Sequence, residues 1–156
     1  MEKCVITGTF DPFTNGHKYI LDTACKLFMK VYVVIFVNPD KTSLFTVAER
    51  LEMLNALVKD YKNVETDASN GYVIDWCKAH DVSVVLRGVR NCDDYEYEKI
   101  MAEYNRKHGN VTTLFVNGVD GTCSHDVRNM IENGEDYGEY VPKSIAETIK
   151  NIIGRR

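Results

Sequence analysis

A regular alternation of short apolar runs with amphipathic helical patterns constrains this fold more than any other feature. Residues 31–37 read V-Y-V-V-I-F-V, a β-branched and aromatic run without polar alternation, as in a strand covered on both faces. Shorter runs of the same kind occupy residues 4–7, 82–86 and 113–116, and residues 63–66 form a weaker candidate. The pattern therefore predicts five strands.

Helical patterns lie between these runs. Apolar residues recur at spacings of three and four from Ile20 and again from Val47, and Thr46 with Glu49 forms a capping-box signature before the second helix. Further helices are predicted over residues 71–80, 93–107, 124–133 and 142–153. Gly134 is the expected terminator of the third of these, and Pro142 is the expected first residue of the fourth. Because parallel strands require crossover connections, we expect an α/β fold: an open, doubly wound, five-stranded parallel sheet with helices on both faces.

Length and composition exclude several classes of protein. The 156 residues predict one domain over residues 1–156, since a domain takes about 100 to 200 residues. A net charge of −4 gives no global positive field for nucleic acid or an anionic membrane. Five cysteines without a C-x-x-C pair argue against a disulfide framework or a structural zinc site, and no apolar run reaches the ~18 residues of a membrane span. We therefore expect a cytoplasmic protein that binds neither nucleic acid nor membrane.

Polar residues follow the first predicted strand, at the sheet edge where ligands of such folds bind. Residues 8–17 read G-T-F-D-P-F-T-N-G-H and open a helix with Thr14 as N-cap, a pattern typical of an anion-binding turn. His17 lies in the first turn of that helix, where it either caps the helix or donates a hydrogen bond to the anion. The P-loop and G-x-G-x-x-G patterns are absent from the sequence, so kinase and dinucleotide-binding functions lose their main support.

Three cations follow two further strands at the same edge. Lys41 comes after the second strand, and Arg87 and Arg90 come after the fourth. Taken singly, each is more often a solvated charge or an ion-pair partner of a carboxylate such as Asp93 or Glu98. Gathered at one edge, they indicate phosphate chemistry, because guanidinium groups suit bidentate phosphate contacts and lysine supplies a mobile point charge.

The loop after the fifth strand leaves two interpretations open. Residues 117–126 are polar and lead into another helix, with Ser124 as its expected N-cap. This segment is either a second anion-binding site or only a well-capped helix start. Asp126 in the first turn stabilises the helix dipole but would repel a phosphate placed there. We do not expect Cys123 and His125 to form a nucleophilic pair, because residues two apart at a helix start do not face each other.

Several motifs together resemble one family. Besides the segment at residues 8–17, the sequence contains four further motifs: N-P-D-K at residues 38–41, F-T-x-x-E-R at 45–50, R-G-V-R at 87–90 and D-Y-E-Y-E at 94–98. This set, which runs nearly end to end, resembles the phosphopantetheine adenylyltransferases of the nucleotidyltransferase superfamily. The resemblance implies a Rossmann-like nucleotidyltransferase fold and transfer of the adenylyl group from ATP to 4′-phosphopantetheine, giving dephospho-coenzyme A and pyrophosphate. It also implies Mg²⁺ with ATP, no metal ligand from the protein, and a homo-oligomer, usually a hexamer.

The resemblance also implies roles by position. Catalytic roles fall on His17, Lys41 and Arg90. Acceptor binding falls on Thr9, Lys41, Val73 and Arg87. ATP binding falls on Thr9, Phe10, His17, Gly88, Val89, Arg90, Glu98, Asp120, Gly121, Thr122, Cys123, Ser124, His125 and Asp126. Nucleotidyl transfer leaves little covalent work to the protein, so these groups would align the reactants and absorb developing charge, with no general base required.

The sequence departs from the family pattern in three places. Thr7-Gly8 stands where proline-glycine is usual, Thr42 follows Lys41 where a second lysine is common, and Ser124-His125-Asp126 replaces a run of serines. Two alternatives therefore stay open: nucleotidyl transfer to another phosphorylated acceptor or from CTP, and non-catalytic binding of coenzyme A or its precursors.

Overall fold

The computed structural model describes residues 2–118 and 123–156, and within them a five-stranded sheet is covered by helices. The strands are β1 (Lys3–Gly8), β2 (Lys30–Phe36), β3 (Val64–Ser69), β4 (Val84–Val89) and β5 (Thr112–Asn117). The helices are α1 (Asn15–Leu27), α2 (Val47–Val58), α3 (Val73–Ala79), α4 (Cys92–Gly109), α5 (Ser124–Glu132) and α6 (Lys143–Gly154). All strand pairs are parallel, so the predicted α/β class and five-stranded parallel sheet are confirmed.

The central strands are apolar because helices cover both faces of the sheet. Val5 and Ile6, adjacent in β1, point to opposite faces and belong to two separate hydrophobic clusters. The Ile6 cluster includes Leu21 of α1, and α2 and α6 pack on the same side. The Val5 cluster includes Trp76 of α3. This burial on both sides explains why β2 shows no polar alternation in the sequence.

Helix ends largely follow their sequence signals. The Thr46 hydroxyl accepts from the Glu49 backbone N–H at 3.1 Å, and the Glu49 carboxylate accepts from the Thr46 N–H at 2.8 Å, so the predicted capping box is confirmed. Gly134 has a φ of +71° and ends α5 with a bond from Glu135 N to Met130 O at 2.8 Å, which confirms the predicted terminator. The prediction for the last helix was wrong by one residue, because Pro142 is its N-cap.

The strand order β3-β2-β1-β4-β5 places the ligand edge. The chain moves outward from β1 through β2 to β3 and then crosses to the other side of β1 with β4. The carboxyl ends of β1, β2 and β4 therefore meet at the point where the strand order reverses, and such a switch point is where open α/β sheets bind ligands. Among the helices of the described residues, none is both long and apolar enough to cross a bilayer.

Candidate active site

The turn between β1 and α1 uses His17 to close the start of the helix. Thr14 is the N-cap, as the sequence predicts, and its backbone N–H donates to Nδ1 of His17 at 3.0 Å. The Thr14 hydroxyl also lies 3.2 Å from Nδ1. Because Nδ1 accepts a backbone hydrogen bond, a neutral imidazole carries its proton on Nε2. The two functions considered for this histidine are thus compatible: one nitrogen caps the helix and the other is left as a donor.

The surroundings of His17 keep the imidazole neutral. Its ring contacts those of Phe10 and Phe13, with centroids 5.0 and 5.2 Å away. Burial, followed by the positive charges of Arg87 and Arg90, lowers the pKa of His17 from 6.5 to about 4. At neutral pH the side chain is therefore a neutral hydrogen-bond donor placed among cations.

Arg87, at the end of β4, is held in a fixed orientation by two acceptors. Its Nε and Nη2 donate to the two carboxylate oxygens of Glu98 at 2.9 and 2.6 Å. Its Nη1 donates to the Thr7 carbonyl at 2.5 Å. Glu98 is 9% exposed, so this is a largely desolvated, bidentate ion pair between β4 and α4. Nη1 also donates to the Thr7 hydroxyl at 3.3 Å. A guanidinium has five N–H donors, so these four bonds leave one N–H, on Nη2, for a ligand.

Arg90 lies beside the first turn of α4. Its Nε is 3.5 Å from the Asp94 carboxylate, which also accepts from the Arg90 backbone N–H at 3.1 Å. A Cβ on Gly118 would lie 2.4 Å from Cγ of Arg90, so the absence of a side chain there leaves room for the arginine. Both arginines have an α4 carboxylate as ion-pair partner, Arg87 with Glu98 and Arg90 with Asp94, which is the alternative to phosphate binding considered for each cation taken singly.

A single cleft of about 800 Å³ unites the predicted cations with His17. Lys41 reaches it from the exposed loop after β2, His17 from the start of α1, and Arg87 and Arg90 from the end of β4. Its lining also includes Thr9, Phe10, Gly88, Glu98, Cys123, Ser124 and His125. Residues at the ends of three neighbouring strands and at the start of α5 thus line one space.

Other positions implied by the resemblance lie elsewhere. Val73, the first residue of α3, packs against the cluster around Trp76 and is not part of the lining of this cleft. Neither Val89 nor Asp126 contributes to that lining. Asp120, Gly121 and Thr122 lie outside the described residues.

Comparisons with known proteins show which family this chain resembles. The cytidylyltransferase-like family model matches residues 5–141. A phosphopantetheine adenylyltransferase from Natranaerobius thermophilus is 43% identical over 154 residues, which cover 98% of this chain and 94% of the relative. Phosphopantetheine adenylyltransferases from Thermobifida fusca and Streptomyces coelicolor are 35% and 31% identical, over 96% and 100% of this chain and 93% and 100% of the relatives.

The chain belongs to the phosphopantetheine adenylyltransferase family. A solved structure assigned as a nicotinate-nucleotide adenylyltransferase from Vibrio parahaemolyticus supports the fold independently. It superimposes with a TM-score of 0.69 at 16% identity and covers 96% of this chain and 99% of its own. At that identity the likeness concerns the fold, a Rossmann-like nucleotidyltransferase fold.

The start of α5, where this member of the phosphopantetheine adenylyltransferase family departs from the usual serine run, differs from the expectation. Ser124 was predicted to cap the helix, but the N-cap is Cys123, so that prediction was wrong. The Ser124 hydroxyl instead donates to the Pro12 carbonyl at 2.8 Å and ties α5 to the β1–α1 turn. The Cys123 thiol donates to Asp126 at 3.3 Å, with no described contact to His125. His125 is exposed on the cleft, with Nε2 3.3 Å from the Asn129 amide.

Sequence reasoning missed several residues that line the cleft. Arg128 lines the cleft, and its Nη1 donates to the Asp11 carbonyl at 2.9 Å. Glu139 and Tyr140 also line it, and their carbonyls accept from the Asn15 side chain at 2.8 Å and backbone at 3.0 Å. The spacing of four between Ser124 and Arg128, one helical turn, is the signal that points to the arginine.

Proposed function

We propose that this protein transfers the adenylyl group of ATP to 4′-phosphopantetheine and releases dephospho-coenzyme A and pyrophosphate, in coenzyme A biosynthesis in the cytoplasm. The observation that supports it most is the joint lining of one cleft by His17, Lys41, Arg87 and Arg90. Both reactants are anionic, and a net charge of −4 offers them no other general attraction. Relatives that carry this activity in their names align over nearly the whole chain.

Each cation has a separate task in the proposed reaction. Arg87, oriented by Glu98, holds the phosphate of the acceptor with its positive charge and its remaining N–H donor. Lys41 and Arg90 neutralise the acceptor phosphate and the ATP phosphates as the two approach. His17 donates from Nε2 to the charge that develops on the α-phosphate. The attacking phosphate is already anionic at neutral pH, so alignment and charge stabilisation, rather than proton removal, supply the rate enhancement.

The first turn of α5 and Arg128 complete the proposed nucleotide side. The open N–H groups of a helix start favour phosphate, and Arg128 adds a cation one turn along. His125 stands on this rim where the family usually has a serine, and it supplies a donor in its place.

Magnesium is proposed to enter with ATP. Among residues 2–118 and 123–156, no group of three or more His, Cys, Asp or Glu side chains is arranged to hold a metal. That fits Mg²⁺, which commonly binds through substrate phosphates, waters and one or two carboxylates. When bound, the ion neutralises charge on the leaving pyrophosphate. We further propose a homo-oligomer, a hexamer by family resemblance.

The test is pyrophosphate release from Mg-ATP and 4′-phosphopantetheine by the purified protein. We expect turnover that requires both substrates and falls about 10²- to 10³-fold in His17→Gln, which removes one preorganised donor. No turnover at saturating substrate would refute the proposal. Replacing ATP by CTP, or phosphopantetheine by other phosphorylated acceptors, tests the alternative transfers, for which we expect no comparable rate.

A further inference from the structure

Asp11 is an acidic residue in a cleft that collects anions. It lines the cleft and is only 3% exposed. A carboxylate at this place opposes phosphate binding, because like charges in a partly desolvated site repel. Contact with a phosphate ligand therefore does not explain why an acidic side chain stands at this position.

The carboxylate of Asp11 is bound to the loop that carries Lys41. Oδ2 accepts from the Leu44 backbone N–H at 2.8 Å, and Oδ1 accepts from the Phe45 N–H at 3.0 Å. Hydrogen bonds to an ionised acceptor are the strong kind. Each carboxylate oxygen thus accepts from a backbone N–H three or four residues after Lys41.

A buried arginine connects the same two segments. Arg50 is 4% exposed. Its Nε donates to the Phe45 carbonyl at 3.0 Å and its Nη1 to the Thr9 carbonyl at 2.9 Å. The turn after β1 and the loop after β2 are therefore joined twice, once by Asp11 and once by Arg50, through buried, charge-assisted bonds. The residues that make these contacts belong to the sequence motifs at residues 8–17 and 45–50, in positions to which the proposed reaction gives no role.

We propose that Asp11 is a positioning residue for Lys41: its carboxylate fixes the loop after β2 so that the lysine meets the cleft formed by the turn after β1. The inference rests on the proposed adenylyl transfer for its kinetic test. Lys41 lies on an exposed loop, so its contribution to the reaction rate depends on how firmly that loop is held. An ångström-scale misplacement of a charge-stabilising group costs about 10²-fold in rate.

The substitution Asp11→Asn separates this role from simple electrostatics, because the two roles predict different changes in turnover and in ATP binding. The amide keeps the size of the side chain but loses the charge and one acceptor, so one of the two loop bonds is lost. A merely nearby acid, once neutralised, would leave turnover unchanged and tighten ATP binding. A positioning residue, once altered, lowers turnover about 10- to 100-fold without tighter ATP binding.

The experiment measures kcat and KM for both substrates in wild type, Asp11→Asn, Lys41→Ala and the double variant. Asp22→Asn, which removes the same charge from a side chain bound to Lys18 and Tyr61 outside this lining, is the matched control. We expect Asp11→Asn to lower kcat in the wild-type background and to change it less than about 3-fold in the Lys41→Ala background, since residues that act as a unit are not additive. An equal effect in both backgrounds, or unchanged kcat with a lower KM for ATP, overturns the proposal.

Amide hydrogen exchange on the wild-type chain tests the anchoring of the loop without any substitution. The Leu44 and Phe45 amides are expected to exchange at least 10-fold more slowly than the amide of Thr42 in the same loop. If Asp11→Asn fails to fold, this comparison decides, and equal exchange rates refute the anchoring. If wild type folds but does not turn over, the proposed function fails, and the same cycle is read from the Kd for ATP.

Discussion

The capping role of His17 gives an acid-stability prediction that needs no ligand. Replacing His17 by Gln keeps an acceptor that can reach the Thr14 N–H, as in a capping box, but removes the titrating ring. In wild type, the folded pKa of about 4 lies below the ordinary 6.5. The unfolded chain therefore binds the proton more readily than the folded one, and stability is lost as pH falls through 6.5 toward 4.

The size of the loss follows from the interval between the two pKa values, 6.5 and about 4. One pH unit within it corresponds to about 1.4 kcal/mol, so lowering the pH from 7 to 5 costs wild type about 2 kcal/mol through this residue alone. Below about pH 4 the loss stops growing, since the ring is then protonated in both states. His17→Gln lacks this contribution at every pH.

Urea unfolding at pH 7 and pH 5 measures the difference. We expect the free energy of unfolding of wild type to fall by about 2 kcal/mol more than that of His17→Gln between the two values. His108→Gln, which changes an exposed histidine in the last turn of α4, is the control and should follow wild type. Parallel pH profiles for wild type and His17→Gln would refute the neutral, capping state of this imidazole.

Two further predictions concern the arginines. Gly118→Ala places a Cβ 2.4 Å from the present Cγ of Arg90 and must displace that side chain, so we expect turnover to fall about 10-fold or more with little change in the melting temperature. Glu98→Gln removes the charge partner of Arg87 and should destabilise the fold by about 1–3 kcal/mol in urea unfolding, whereas the double variant Glu98→Gln/Arg87→Gln should regain part of that loss. No recovery in the double variant would argue against the ion pair.

Much of the fold could be predicted because local signals agree with the tertiary environment. The apolar run at residues 31–37 can only be covered from both sides, and β2 has helices on both faces. β3 gave a weaker signal because it is an edge strand whose later residues are only partly buried. The Ser124 cap was wrong because its hydroxyl bonds to Pro12, a contact between segments far apart in the sequence that no local pattern contains.

Part of the site could be predicted because the carboxyl ends of parallel strands lie at the same edge of the sheet. That rule predicts that His17, Lys41 and the two arginines share one edge of the sheet, and all four line one cleft. It could not find Asp11, whose partners are backbone N–H groups that carry no sequence signature. It also could not tell that Glu98 faces Arg87, since helical spacing alone leaves the rotation of α4 open.

The cleft is lined by residues from distant parts of the chain, and this has a thermodynamic consequence. His17 of α1 and Arg128 of α5 both line it, and the four strands β2 to β5 lie between these two residues in the chain. A nucleotide that bridges these two groups binds the folded chain and not the unfolded one, so it stabilises the whole molecule. Nucleotide at a hundredfold excess over its Kd should therefore raise the cost of whole-molecule opening by about 2.7 kcal/mol and slow exchange of the deepest β1 amides, well beyond the residues that it touches.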